Sequence, residues 1–298
     1  YKRQDLGRFT SISDLAVTMT GELADCFLDR AQGVKWIVDH ALEAAARIGA
    51  REVRFYGTDG EFREATDAKA KPDVVAAANW HALASYAAKA VPDAPTVIDV
   101  GSTTTDIIPI AEGSVSTSAR TDFERLVEGS LIYVGCRRTP VCSLVSQLSY
   151  RGQACPVMNE VFATMDDALL ILGSTPEDES DLDSADRQPR TVRCAANRMA
   201  RMIGLDQRTV SIGDAREMAQ EVVTAAKGRV SAAIRRIHRP GTVLIAGHGQ
   251  DLLEFDPGTR VQQLSDEFGC SATRCAPSYA VAMLYQWQVP NAEIRCGG

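Results

Sequence analysis

Asp99-Val-Gly-Ser-Thr-Thr-Thr-Asp106 is the segment whose residue types and spacing best suit chemistry, namely the binding of phosphate. Gly101 lets the backbone turn and approach a ligand closely. The hydroxyls of Ser102, Thr103, Thr104 and Thr105, with the turn amides, can hydrogen-bond phosphate oxygens. Asp99 and Asp106 offer hard oxygen ligands for the Mg²⁺ that accompanies a polyphosphate. An ordinary hairpin also carries such a Gly-Ser-Thr string, but the carboxylate at each end and the apolar runs on both sides favour phosphate. Arg137 and Arg138 are suited to a bidentate grip on phosphate, although surface placement accounts for at least one of two adjacent arginines. Candidate proton acceptors are Glu22, Asp25, Asp59 and His81. Glu22 and Asp25 share a helical face if their turn is helical, or form a cap pair at a helix start. Asp59 reads equally as a turn residue before Gly60, and a satisfied core histidine is the better reading of His81. The six carboxylates within 177–186 could hold a cation, but a solvated loop suits them better. No Cys/His set has zinc spacing, and no G-x-S-x-G string supports a serine triad.

These side chains need strands and helices to hold them, and the sequence alternates both from end to end. Leu15–Thr18 and Glu52–Tyr56 read as strands, Ala31–Ile48 and the Ala-rich Val74–Ala90 as helices. Pro92-Asp-Ala-Pro95 is the clearest punctuation, placing a domain boundary near residue 93. Beyond it, Thr96–Val100 and Ile107–Ile110 flank the Gly/Ser/Thr turn, and Glu112-Gly113 turns the chain again before Ser114–Ser118. The acidic stretch Glu177–Arg190 reads as an exposed loop. Thr191–Met202 and Ala215–Ile237 read as helices, Thr242–Ala246 as a buried strand and Ser278–Gln288 as a final helix. Layered α/β architecture follows. The chain has 298 residues, a net charge of −7, 45% hydrophobic and 24% charged residues, which excludes global disorder and argues against general nucleic-acid binding. No uncharged apolar run is long enough for a membrane span. Eight scattered cysteines without a C-x-x-C pair suit reduced cytosolic thiols, so a cytoplasmic protein is expected. Tyr1–Asp5 form no signal peptide, and the absent start Met implies that residues precede the sequence as given.

Placed after an apolar strand, D-x-G-S-T-T-T-D resembles the second phosphate loop of the actin/sugar-kinase/Hsp70 superfamily, in particular its hydantoinase A/oxoprolinase branch. Ile245-Ala-Gly-His-Gly249 is similar to the later glycine turn that contacts adenosine there. Thr18-Met-Thr-Gly-Glu-Leu-Ala-Asp-Cys-Phe27, Phe55-Tyr-Gly-Thr-Asp-Gly60, Ala78-Asn-Trp-His-Ala82 and Gly135-Cys-Arg-Arg-Thr-Pro-Val141 occur in an order that resembles a narrower family, the tetrahydromethanopterin-linked C1-transfer pathway proteins. The resemblance covers roughly residues 15 to 285.

It implies two RNase H-like lobes, residues 1–93 and 94–298, closing over a phosphorylated ligand. It also implies a methanofuran-building transferase that joins an aminomethylfuran-methyl diphosphate to a tyramine- or tyrosine-type phenol and releases pyrophosphate. Mg²⁺ is the implied cofactor, and small furan and phenol substrates are the implied partners. ATP use and homo-oligomerisation are left open, and neither nucleic acid nor membrane is expected. On this reading Gly247 and Gly249 join the phosphate contacts. Asn79, Trp80, His81 and His248 line the substrate, with core packing an equal account of Trp80. Competing expectations are an ATP-dependent kinase or oxoprolinase-like hydrolase, and a non-catalytic nucleotide-binding scaffold. Family members open with a D-x-G-G-A-N-type first phosphate loop. None stands before Leu15, so either those residues are missing or that phosphate site is lost.

Overall fold

The computed structural model describes residues 12–268 and 275–288, so Tyr1–Asp5, Cys270 and Cys296 lie outside the described residues. Strand β1 (Asp14–Val17) pairs in parallel with β2 (Glu52–Tyr56), and β3 (Phe62–Arg63) adds an antiparallel edge. Between β1 and β2 runs α1 (Arg30–Ile48), started by the Asp29 side chain, which accepts the Gln32 amide at 2.8 Å, and stopped by Gly49 at φ +73°. Gly33 in its second turn is a packing requirement: a Cβ there would stand 2.0 Å from the Glu22 carbonyl oxygen.

The helix expected over 74–90 is broken. Two short helices, α2 (Ala65–Ala70) and α3 (Pro72–Val75), precede α4 (Asn79–Ala90), and the link between α3 and α4 contains Ala77 at φ +45°. Thr58 supplies the cause. Its amide donates to the Val74 carbonyl at 2.8 Å, taking the acceptor that a continuous helix would use for residue 78.

A second sheet contains β4 (Thr96–Val100), β5 (Thr105–Ala111) and β6 (Ser114–Val115) as an antiparallel meander. The expected strand 114–118 is thus only two residues long. After α5 (Asp122–Glu128), β7 (Leu131–Ile132) pairs with β5. The chain then leaves the sheet for α6 (Val141–Leu144), the β8 (Gln147–Tyr150)–β9 (Gln153–Pro156) hairpin, α7 (Met165–Leu172), α8 (Val192–Arg201) and α9 (Ile212–Ile237). It returns as β10 (Thr242–Gly247), parallel to β4, and as β11 (Arg260–Gln263), parallel to β10. Helices α10 (Ser265–Phe268) and α11 (Ala276–Gln288) follow. The sheet order is β11-β10-β4-β5-β6.

The period-two pattern of the strands sets two cores, as alternation requires. Ile98, Val100, Ile107, Val243 and Ile245 pack with residues of α7, α8 and α9. Val97, Ile108, Ile110, Leu244 and Ala246 pack with α4 and α11. That second core also contains Tyr56 of β2, so apolar packing runs from the first sheet into the second. Helix, sheet and helix therefore form three layers. Among the described residues no helix is long and apolar enough to cross a membrane.

The acidic stretch 177–190 is largely exposed, as expected, but two of its carboxylates, Asp181 and Asp186, are half-buried and paired. Asp186 binds Arg198 and Arg201 at 3.0 Å each. Asp181 binds Arg137 at 2.8 Å and Arg190 at 3.5 Å, and Asp178 and Arg190 form an isolated β-bridge. Arg190 is further held to the buried Asp166 by two bonds of 2.6 and 2.7 Å, which fastens the stretch to α7.

Candidate functional site

Three loops converge where the parallel strands β4 and β10 end. The 101–104 turn closes through a bond from the Gly101 amide to the Thr104 carbonyl at 2.9 Å. Segment 135–138 lies over it. The Cys136 amide donates to the Gly101 carbonyl at 3.0 Å, and the Arg137 and Arg138 amides donate to the Ser102 carbonyl at 3.0 and 2.8 Å. Only glycine permits this approach at position 135, where a Cβ would stand 2.5 Å from the Thr103 amide nitrogen. From β10, the turn 247–249 folds back so that the His248 and Gly249 amides donate to the Val100 carbonyl at 3.0 and 3.2 Å. Gly247, at φ +81°, leaves Asp99 uncrowded, since a Cβ there would come within 2.6 Å of Asp99 Oδ1. Crevices outside the carboxyl ends of strands are where α/β proteins bind ligands.

Asp99 and Asp106 are opposite one another in the β4–β5 register, on the side that faces α4. Asp106 is bound by the buried Arg125 at 2.8 Å, whose guanidinium also donates to the Ser130 carbonyl and lies 4.0 Å over the Trp80 ring. Asp99 receives no hydrogen bond from any described residue. Burial first, and the Asp106 charge second, push its carboxyl up to about 7. Two more carboxylates extend the cluster from the neighbouring elements. Glu22, in the loop after β1, is raised above its usual range mainly by burial, with Asp122 adding repulsion. Asp122, in the first turn of α5, is raised mainly by burial and by Asp106, against the pull of Arg125 and Arg30. Perturbed carboxyls gathered at strand ends mark a functional site more often than an ordinary surface.

Mg²⁺ uses one or two protein carboxylates and takes its remaining oxygens from phosphates and water. Asp99, half-buried and without a hydrogen bond from a described residue, fits that habit. Asp106 does not, because Arg125 already neutralises it. No three His, Cys, Asp or Glu side chains are grouped to hold a metal among the described residues.

The other expected site residues divide by position. Gly101, Ser102, Thr103 and Thr104 are half-buried at the turn, and Ser102 and Thr103 have their hydroxyls 3.4 Å apart. Thr105 is fully buried with its hydroxyl donating to the Val134 carbonyl at 2.7 Å, so it does not face a ligand. Gly247 and Gly249 serve the packing of one turn on Val100 and leave the Gly249 amide already used. His248 is exposed beside them. Arg137 is paired to Asp181 and Asp183, whereas Arg138 is exposed and makes no ion pair with a described residue. Both line a cavity of about 290 Å³ with Thr164, Asp166 and Asp183.

Glu22 and Asp25 occupy turns, not a helix, with Glu22 buried and Asp25 exposed, so they share no face. Asp59 and His81 belong to a different cavity of about 280 Å³, shared with Tyr56, Ser85, Lys89 and Arg120. Burial opposes ionisation of Asp59, but Arg63 and the Glu61 amide overcome it and hold the carboxyl below its usual range. His81 hydrogen-bonds Tyr56 at 3.0 Å and is lowered to about 4 by burial and by Arg120, so it is uncharged near neutrality. Asn79 and Trp80 open α4 at the edge of the carboxylate cluster. Sequence reasoning missed Arg30, Asp122 and Arg125. The Thr121-x-x-Glu124 capping box could have placed Asp122 at a helix start, but no local signal marks either arginine.

A model of the hydantoinase/oxoprolinase family matches residues 14–285. The chain is 30% identical over 284 residues to (4-{4-[2-(gamma-L-glutamylamino)ethyl]phenoxymethyl}furan-2-yl)methanamine synthase of Methanocaldococcus jannaschii, covering 94% of this chain and 84% of the relative. It is 26% identical over 212 residues to the synthase of the same name from Methanococcus vannielii, covering 66% of this chain and 93% of the relative. Among solved structures, nucleotide-free acetone carboxylase superposes with a TM-score of 0.53 at 12% identity, over 85% of this chain and 38% of that one, which shows a shared fold.

Proposed function

The chain belongs to the hydantoinase/oxoprolinase family, and from that premise we propose that it is a transferase of methanofuran-type cofactor assembly. Its substrates are an aminomethylfuran-methyl diphosphate and a tyramine-type phenol, and the ligand enters between two RNase H-like lobes. The observation that carries this reading is the convergence of 101–104, 135–138 and 247–249 beside the half-buried Asp99 carboxylate. The sheet order β11-β10-β4-β5-β6 supports the lobe assignment for the second unit.

In the reaction, the bond between the furan CH₂ and the diphosphate oxygen breaks with its electron pair leaving on the diphosphate. A new bond forms from that CH₂ to the phenol oxygen, and the phenol proton passes to the departing diphosphate. The Ser102, Thr103 and Thr104 hydroxyls bind the diphosphate, and Arg138, lacking an ion pair, reaches it as a second cation. Asp99 would hold Mg²⁺, which supplies charge neutralisation of the leaving group when bound. The carboxylates stabilise positive charge as it develops on the furan carbon. This reading assigns no step to Asp25, Asp59 or His81.

The test is pyrophosphate release from the furan-methyl diphosphate with tyramine, Mg²⁺ and no ATP. Release of pyrophosphate with formation of the ether is expected. Turnover that requires ATP would move the assignment to the kinase or hydrolase class. Ligand binding without turnover would leave the scaffold reading.

A further inference from the structure

We propose that Glu22 and Asp122 together form a seat for a primary ammonium group, the aminomethyl arm of the furan donor. The inference rests on the function proposed above and names the substrate charge that the same site recognises.

The charge balance of the cluster motivates it. Four carboxylates, Glu22, Asp99, Asp106 and Asp122, act on one another and on two guanidiniums, Arg30 and Arg125. Arg125 is already bound to Asp106 at 2.8 Å, and Arg30 reaches out of the cluster to Asp73 at 3.0 Å. Arg30 also acts on Glu22 and Asp122, and Arg125 on Asp122, so two guanidiniums face four carboxylates and the cluster keeps an excess of negative charge. Glu22 is only 3% exposed, and its Oε2 has no hydrogen-bond partner, although buried carboxylate oxygens are almost always bonded.

The backbone around Glu22 is arranged to hold it there. Gly33 of α1 makes room for its carbonyl, and the amide of Ala77, in the left-handed region at φ +45°, stabilises its charge from the other side. Such backbone outliers persist where the surroundings fix them, often at ligand sites. Burial raises both carboxyls, as expected of groups awaiting a cation.

The chemistry of the missing cation is constrained. A divalent metal takes one or two carboxylates together with phosphate oxygens, a demand that Asp99 beside the diphosphate would meet. An ammonium has three donors and no acceptor, which suits a pair of carboxylates. The name of the synthase relatives places a methanamine on the furan ring. In this chain the ring would lie between the 101–104 turn and Glu22.

The test is calorimetric titration of the full chain with furfurylamine, tyramine and furfuryl alcohol, repeated on Glu22→Gln and Asp122→Asn. Folding of both variants is checked by thermal unfolding. The expected result is furfurylamine binding that weakens at least tenfold in each variant, with furfuryl alcohol binding no better to wild type than to either. Equal furfurylamine affinity in wild type and both variants overturns the proposal, as does absence of furfurylamine binding to wild type. Sensitivity confined to tyramine overturns the donor assignment and gives the seat to the acceptor's ammonium. A parallel titration with Mg²⁺ and pyrophosphate separates the two readings, because silence there in wild type removes the phosphate site whatever the amine does.

Discussion

Asp99 is the residue on which most of the proposed chemistry depends, and its protonation gives a test that needs no substrate. An unfolded aspartate ionises near 3.8, and burial holds the folded group at about 7. Between those values the folded state binds a proton that the unfolded state does not, so this group's contribution to stability falls as pH rises from about 4 to about 7, then stays level. Asp99→Asn removes the term. Its stability should match wild type near pH 4 and exceed it at pH 8 by about 2 kcal/mol, half of the full conversion because the carboxylate is partly hydrated. Thermal unfolding at the two pH values checks the sign. The same variant should lose Mg²⁺-dependent pyrophosphate binding by calorimetry, and unchanged affinity would remove Asp99 as the metal anchor. The two arginines should separate as well. Arg138→Ala should lose on the order of 10²-fold in kcat/KM, the effect of removing one transition-state donor. Arg137→Ala should act mainly on stability, because Arg137 is already paired with Asp181 at 2.8 Å. Equal loss of kcat/KM in both variants would contradict that division.

The elements of the site were legible where local sequence decides them and hidden where tertiary contacts do. β4 and β10 could be read directly, as short, mainly apolar runs bounded by Pro, Gly or polar turns leave few alternatives. The break before α4 could not, because nothing within Val74–Ala90 announces that Thr58 will take the Val74 carbonyl. The ion pairs of the acidic stretch were hidden for the same reason: its partners Arg137, Arg190, Arg198 and Arg201 come from the 135–138 loop, its own end and α8. Of the cluster, Asp99, Asp106 and Glu22 were visible as chemistry-bearing types, but Arg125 looked like any helical surface arginine until folding buried it under Trp80. The contact between the 101–104 turn and segment 135–138 gives the prediction at this scale. In Gly135→Ala the new methyl meets backbone at 2.5 Å, which neither loop can yield by rotating a side chain. Stability should drop by roughly 1–3 kcal/mol, and pyrophosphate affinity should fall at least tenfold, as measured by denaturant titration and calorimetry. Full retention of affinity would show that the two loops do not form one phosphate site.

At the scale of the whole molecule, the question is whether the two sheets behave as one body, because the carboxylate cluster draws Glu22 from one side and Asp99, Asp106 and Asp122 from the other. The punctuation at 92–95 suggested a boundary there, and the two sheets do fall on either side of residue 93. The packing crosses that point. Tyr56 of β2, Trp80, Leu83 and Tyr86 of α4, Val97 and Ile108 of the second sheet, and Leu284 of α11 belong to one buried cluster. Tyr86 also meets Tyr279 edge-on with ring centroids 5.7 Å apart, and Phe62 of β3 meets Tyr285 at 5.2 Å, so α11 ties both sheets to α4. Residues that share a core unfold together in most single domains. Thermal unfolding should therefore give one transition, with coincident midpoints by far-UV and near-UV dichroism. Leu284→Ala, which empties a 97% buried position, should lower stability by roughly 2–4 kcal/mol without splitting the transition. Two resolved transitions in wild type would mean that the units fold separately. In that case the distance between Glu22 and Asp122 would be set by ligand closure and not by the resting fold, and furfurylamine should then bind more tightly with Mg²⁺ and pyrophosphate present than alone.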